Sequence, residues 1–387
     1  GTVMGIARRW DEMEYAAART AREKEFLYWL TRCPGFGSVT VQKIWNQAES
    51  FESVYYIEGM ELYRRGILYS AKQCREFDAW KKQLEPMREE YYNLGEKGIR
   101  YITPLDTEYP ERLRHIYDYP MGLYVKGELP EDGYPSAAVI GARNCTSYGK
   151  QSAEYMGREL AAQGVRIISG LALGIDGAGH QGAIKGRGKT FAVLGCGVNI
   201  CYPRTNFRLF EQILENGGIL SEYPPDEEPR AGNFPARNRI ISGLSDIILV
   251  MEARQKSGSL ITAHLGLEQG KEIFALPGRI TDSLSEGCNH LIRAGAGILT
   301  SPADVLEYMG IFYEKQMISY EKADKGLAKF EKMVYSCLDS EPRHLEQIAM
   351  QTGLPVSQCM STLCELELGG FALRTNGQCY IRRMTQP

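Results

Sequence analysis

No Cys-x-x-Cys pair, no His-x-x-x-His pair and no Cys/His cluster occurs in the 387 residues. The ten cysteines are scattered, so neither a disulfide framework nor a zinc site is expected, and reduced thiols in a cytoplasmic protein are. No stretch approaches the ~20 apolar residues of a membrane span. Residues 1–25 are charged rather than apolar, which predicts no secretory leader. Positive excess is missing too: 45 Lys+Arg against 48 Asp+Glu leave a net charge of −3. That excludes a histone-like or tail-driven nucleic-acid binder and leaves room for a local basic site. Both familiar glycine fingerprints are absent. No Gly-x-Gly-x-x-Gly follows the first apolar run of the central region, and the second run ends in Ser169 rather than in an acid that could hold a ribose. Gly-x-x-x-x-Gly-Lys-Ser/Thr is lacking as well. The nearest fragment, "GAIKGRGKT" at 182–190, precedes a strand, and its Lys185, Arg187 and Lys189 read as a solvated turn. Dinucleotide binding and P-loop chemistry are therefore not expected, and no cofactor is.

What is present divides the chain. Its length implies two or three domains. Of 41 glycines, 24 fall between residues 141 and 299, which implies many tight strand-to-helix turns there. Residues 1–98 read as a helical domain. Two short amphipathic helices, around Phe26–Leu30 and Val39–Ala48, flank "PGFG" at 34–37. That pattern suits a SAM-like helix-hairpin-helix, whose glycine amides can hold a phosphate. A plain helical hairpin packed on its neighbours is the alternative. Residues 99–135 keep their aromatics throughout and read as a packed connection.

Residues 136–312 alternate apolar runs with helical patterns. "AAVIG", "VRIIS", "TFAVLG", "GILSE", "DIILVME", "EIFALPG" and "GILT" are continuous rather than alternating, as in strands buried on both faces. The fold class is α/β: an extended Rossmann-like, mainly parallel, doubly wound sheet, with the N-terminal helical domain and a C-terminal winged helix. The winged helix, 322–387, is read from three helices and a hairpin at Asn376-Gly377. From Lys329 to Arg383 it carries six basic and six acidic residues, so protein contact stands beside DNA binding as its role.

Ligands of such sheets sit beyond the carboxyl ends of the strands. Loops 141–150, 169–180, 195–204, 252–263 and 276–289 converge there. Asp176 and His180, four apart, could form an acid–base pair, but no nucleophile accompanies them and Asp176 suits a helix start. Anion binding without chemistry fits better. Residues 141–189 hold seven basic residues against three acids, and "GNFPARNRIISGL" sets Phe234 beside Arg237 and Arg239. Phe234 reads either as a base-stacking ring or as a helix-start residue packed on the sheet.

"GARNCTSYG", "SGLALGIDGAGHQGAI", "VLGCGVNICYP", "SEYPP", "NFPARNRIISGLSD", "SGSLITAHLGLEQGKEIFALPG" and "GCNHLIRAGA" follow one another in order. Together they resemble the DprA family (DNA processing protein A, or Smf) across 137–300, and the flanking "YPERLRHIYDYPMGLYVKG" and the winged-helix tail are similar too. The resemblance implies a non-catalytic, single-stranded DNA-binding protein of natural transformation. It would protect incoming strands, load RecA on them, and dimerise through the Rossmann-like domain.

It also implies DNA-binding residues. Arg143, with Gly141 and Ala142, stands at the family's Gly-Ser/Ala-Arg motif. Ser169 and Gly170 open its Ser-Gly-Leu-Ala loop, and Phe234, Arg237, Asn238 and Arg239 lie in Phe-Pro-x-Arg-Asn-Arg. Helix-start amides near Ser147 would support Arg143. Where many members carry Lys or Arg, this chain has Leu173, and Lys256, Arg204 or Arg279 could supply the contact instead. The other class of function is a phosphoribohydrolase-like nucleotide-processing enzyme. Its Pro-Gly-Gly-x-Gly-Thr-x-x-Glu motif is absent, and Thr262 and Glu268 are the only echoes.

Overall fold

The computed structural model describes residues 19–311, 329–339 and 341–383. The domain limits expected at residues 1, 312, 322 and 387 lie outside them. Helix α1 ends at residue 31 and is followed by α2 (Ser38–Gln47), α3 (Phe51–Tyr55), α4 (Gly59–Arg64), α5 (Ala71–Trp80) and α6 (Leu84–Glu96). Their apolar stripes meet in one core around Trp29, Phe51 and Phe77. The "PGFG" turn joins α1 to α2, and its Phe36 stacks on Phe77 with centroids 5.7 Å apart. The start of α2 faces the protein: the Ser38 hydroxyl donates to the Glu222 carboxylate. A phosphate placed at that helix start would lie beside this carboxylate.

Nine strands form the main sheet: β1 (Arg100–Ile102), β2 (Leu123–Gly127), β3 (Ser136–Ile140), β4 (Arg166–Ser169), β5 (Thr190–Val193), β6 (Gly217–Ser221), β7 (Ile247–Val250), β8 (Glu272–Ala275) and β9 (Gly297–Ile298). Their spatial order is β1-β2-β6-β5-β4-β3-β7-β8-β9. From β6 to β9 every pairing is parallel, whereas β1–β2 and β2–β6 are antiparallel. The stretch expected as a packed connection thus extends the sheet by two strands, with the short α7 (Glu111–Arg114) between them.

Successive residues of β3 point to opposite faces, and both faces are covered. Ala137 and Val139 pack under α8 (Ser147–Ala162) and α9 (Ile175–Lys185). Beyond β5 comes α10 (Phe207–Asn216), whose buried face joins the core of the N-terminal helices. Ala138 and Ile140 pack under α11 (Asn233–Leu244), α12 (Gly258–Glu268) and α13 (Glu286–Arg293). Helix α14 (Pro302–Tyr308) closes the first face. This double covering is why the strands read as unbroken apolar runs.

The tail packs α15 (Lys329–Ser336), α16 (Leu345–Thr352) and α17 (Val356–Leu368) on a three-stranded sheet, β10 (Arg343–His344), β11 (Ala372–Arg374) and β12 (Cys379–Arg382), in the order β10-β12-β11. Three helices and a β-wing around one core are a winged helix. Among the described residues no helix is long and apolar enough to cross a membrane.

Candidate nucleic-acid interface

From β3 the chain winds outward through β4, β5 and β6, then returns to the other side of β3 with β7. Loops after β3 and β7 therefore diverge, and a crevice opens between them at the carboxyl edge. It measures about 570 Å³ and lies between the β3–α8 loop, the start of α11 and the start of α12. Gly141, Ala142, Arg143, Phe234, Arg237 and Asn238 all line it, although their positions lie up to 97 apart in sequence. Ser257, Gly258 and Ser259 at the start of α12 line it too, as does Tyr202.

The loop carrying Arg143 is clamped from both sides by Glu252, which follows β7. The Ala142 amide donates to the Glu252 carbonyl at 2.8 Å. The Thr146 amide donates to the Glu252 carboxylate at 2.8 Å, and the Thr146 hydroxyl donates to its other oxygen. Gly149 makes room for this: a Cβ there would lie 2.3 Å from the Glu252 Cδ. A negative charge at a helix start is favourable, and here the protein supplies its own. The expectation that amides near Ser147 would serve DNA is thereby corrected, because Glu252 already occupies that helix start.

Arg143 projects from this loop into solvent, its Cζ 5.3 Å from the centroid of the half-buried Phe234 ring. Among the described residues it has no carboxylate partner. Arg237 sits beneath the same ring, Cζ 5.9 Å from the centroid, and is only 5% exposed. Its Nη1 donates to the Gly170 carbonyl at 2.9 Å and to the Val193 carbonyl, and its Nε donates to Asn238 Oδ1 at 3.2 Å. Tyr202 flanks Phe234 at 5.5 Å. The floor is thus a buried guanidinium bonded to strand ends, the wall an aromatic ring, and the rim a second, exposed guanidinium.

Ser169 lies below that floor, fully buried, its hydroxyl donating to the Val139 carbonyl at 2.6 Å. The Gly170 amide donates to Asp176 at 3.1 Å. Burial pushes the Asp176 carboxyl up, against the Arg237 guanidinium and the Gly170 amide, which pull it down. His180 is also buried and does not bond to Asp176. Its Nδ1 meets the Thr190 hydroxyl at 2.7 Å, and that hydroxyl donates to the Ile167 carbonyl, so Nδ1 carries the proton. Burial lowers its pKa to about 3, and it stays neutral. The pair is a buried support for the strand ends.

Residues 100–310, more than half of the chain, match the model of the DNA recombination-mediator protein A family, and residues 320–378 match the DprA winged helix domain. The chain belongs to the DNA recombination-mediator protein A family. Protein Smf of Escherichia coli is 41% identical over 304 residues, which are 74% of this chain and 81% of that protein. DNA processing protein DprA of Streptococcus pneumoniae is 48% identical over 202 residues, 52% of this chain and 71% of that protein. The solved structure of DNA processing protein A from Streptococcus pneumoniae superposes with a TM-score of 0.65 at 35% identity, covering 75% of this chain and 99% of that one. That of DNA processing protein A from Helicobacter pylori, solved to describe its single-stranded DNA binding mode, gives 0.50 at 34% identity, covering 54% and 95%.

Arg239, carried over from the family's motif, and the three basic residues offered in place of Leu173 do not form a simple basic groove. Arg239 points away from the crevice. Its Nη2 donates to both Glu222 oxygens at 2.8 Å, its Nε lies 3.0 Å from Asp118, and it is 7% exposed. Lys256 is exposed on the loop leading to α12, beside the crevice lining rather than in it. Arg279 pairs with Glu341 of the winged helix at 2.8 Å, whereas Arg204 is exposed on the loop after β5.

The basic surplus of 141–189 does not gather at the site either. Lys185 pairs with Glu154, Lys189 with Glu128, and Arg166 stacks on Tyr134. Sequence reasoning missed Glu252, Tyr202 and the serines at the start of α12. A lone acid ending an apolar run was the available signal for the first.

Proposed function

We propose that the protein binds single-stranded DNA in this crevice without acting chemically on it, protects the strand and passes it to RecA in natural transformation. One observation carries the reading: an exposed guanidinium without a carboxylate partner, on a clamped loop, set against an aromatic ring. A guanidinium neutralises a phosphate, and a ring stacks on any base for about 1–3 kcal/mol. In this reading Arg143 and Phe234 touch the strand, Lys256 adds charge at the edge, and Gly141, Ala142 and Asn238 form the bed. Arg237, with Ser169 and Gly170, holds the bed in place, and Arg239 acts at a distance. Family membership supports the reading, and so does the Helicobacter pylori relative described by its single-stranded DNA binding mode.

A homodimer through the Rossmann-like domain belongs to the same proposal. The open edge of β9 with its half-exposed Ile298, in the segment 288–299, supports it. The winged helix is assigned to protein contact, since α17 carries no lysine or arginine. The phosphoribohydrolase reading gains nothing: Thr262 donates within α12 to Gly258, and Glu268 lies nearly two turns further along.

Titration of labelled oligonucleotides at two salt concentrations tests the proposal. Arg143→Ala is expected to weaken binding to all single strands alike. It should also flatten the slope of log K against log salt by about 0.7, the share of one strand phosphate. Unchanged affinity and slope would overturn it.

A further inference from the structure

Helices α16 and α17 are the helix-turn-helix of the tail, and the second helix of such a pair is the one that enters a DNA major groove. In α17 the residues Cys359, Thr362, Leu363 and Leu366 turn inward and are buried. Val356, Met360, Cys364 and Leu368 follow one another at intervals of four and are all exposed, Met360 by 48% and Leu368 by 90%. Side chains four apart share a helix face, and a free cysteine behaves as a small hydrophobe. The four therefore form one apolar stripe about 18 Å long on the outside of the helix. At about 100° per residue, Glu367 borders this stripe on one side and Glu365 on the other. Both are exposed, and among the described residues neither has a cationic partner.

That pattern does not suit DNA. Lys and Arg hold the phosphate backbone. Helix α17 has neither, and its two exposed glutamates repel phosphates. An apolar stripe open to water suits another helix, whose own anchors at i, i+4 and i+7 would lie along it. A second α17 would bring the apolar anchors but no cation for Glu365 and Glu367. A helix with lysine or arginine beside its apolar stripe supplies both. Four side chains are a small contact beside the ~800 Å² per partner of a stable interface, which fits transient engagement.

We infer that the outer face of α17 docks a basic amphipathic helix of a partner protein. Val356, Met360, Cys364 and Leu368 meet its apolar stripe, and Glu365 and Glu367 meet its lysines or arginines. The inference rests on the assignment of the winged helix to protein contact and names the chemistry of the partner.

The probes are an amphipathic helical peptide of leucine and lysine only and its counterpart of leucine and glutamate, titrated against the full-length protein by fluorescence anisotropy. Alkylation of Cys364 by iodoacetamide, followed by mass spectrometry, reports whether the stripe is covered. The lysine peptide is expected to bind in preference to the glutamate peptide and to slow that alkylation. Met360→Glu combined with Leu368→Glu should weaken it at least about tenfold, because two apolar anchors are lost. Glu365→Gln combined with Glu367→Gln should weaken it about two- to fivefold, the range of exposed ion pairs. All four side chains lie on the outside, so melting temperatures are expected to stay at the wild-type value. Equal binding of the two peptides would overturn the docking face, and so would unchanged binding by the Met360/Leu368 variant or an unprotected Cys364. In those cases protein contact by another face still stands. Self-association of wild type in sedimentation velocity that disappears in the same variant would also overturn the partner helix, in favour of a second copy. If wild type binds duplex DNA and that variant releases it, the assignment to protein contact falls as well.

Discussion

Arg143, Arg237 and Arg239 carry one chemical group in three settings, and burial sorts their roles. Arg143 keeps its hydration and its charge until a ligand arrives. Arg237 and Arg239 are buried, and their guanidinium groups donate to backbone carbonyls, a side-chain amide oxygen and a carboxylate. Removing Arg143 should therefore cost binding, and removing Arg239 should cost stability.

His180 gives a second prediction at this scale. The unfolded chain takes up a proton near pH 6.5, whereas burial delays uptake in the folded chain to about pH 3. Stability from this residue is then fully present above pH 6.5 and declines as pH falls below it, by about 1.4 kcal/mol per unit at most. Urea unfolding of wild type and His180→Asn between pH 7 and 5 checks this. The wild type should lose stability faster, and parallel curves would refute it. Comparison with the variant cancels carboxylates common to both, Asp176 included. That Arg143 lies at a strand tip was legible from "AAVIGAR". That Arg237 is buried on backbone carbonyls was not, because those carbonyls sit 44 and 67 residues away.

Helix α8 begins at a place where a Rossmann-like fold commonly receives a ligand phosphate, and here the Glu252 carboxylate fills it. The same residue closes the Arg143 loop through its backbone carbonyl, so β7 sets the geometry of the β3 loop. Glu252→Ala leaves the Thr146 amide and hydroxyl unsatisfied and should cost about 1–3 kcal/mol. It should also weaken single-strand binding, because the Arg143 loop loses one of its two ties. Glu252→Gln keeps an acceptor and should recover most of both losses. Melting temperature and oligonucleotide affinity measured together decide it. Equal loss in the two variants would show that charge, and not the hydrogen bond, holds the helix start. The element boundaries themselves were readable, because continuous apolar runs and glycine turns are local signals. The occupancy of the helix start was not, since 106 residues separate Thr146 from Glu252.

Across the whole molecule, α11 divides the carboxyl edge of the sheet. Phe234 and Arg237 face the crevice, whereas Arg239, two residues and about half a turn on, faces the N-terminal helices through Glu222, Asp118 and the Ser38 hydroxyl. This cluster ties the helical domain to the sheet. Arg239→Leu strands the Glu222 carboxylate and should cost about 3 kcal/mol, the lower end for a buried pair because Asp118 is partly exposed. The salt slope of strand binding should stay as in wild type, and a flattened slope would place Arg239 on the strand instead. By contrast the Arg279–Glu341 pair, exposed on both sides, contributes about 0–1 kcal/mol.

The sequence by itself determined the doubly wound sheet, the winged helix and the loops that gather at one edge, because periodicity, glycine turns and apolar runs act over a few residues. Only the tertiary structure decided which arginines face solvent. It also decided that two more strands join the sheet, that a carboxylate closes the helix start beside Arg143, and that Met360 and Leu368 stay on the outside of α17. Those facts depend on what lies opposite each residue in space, and neighbours along the chain carry no record of it.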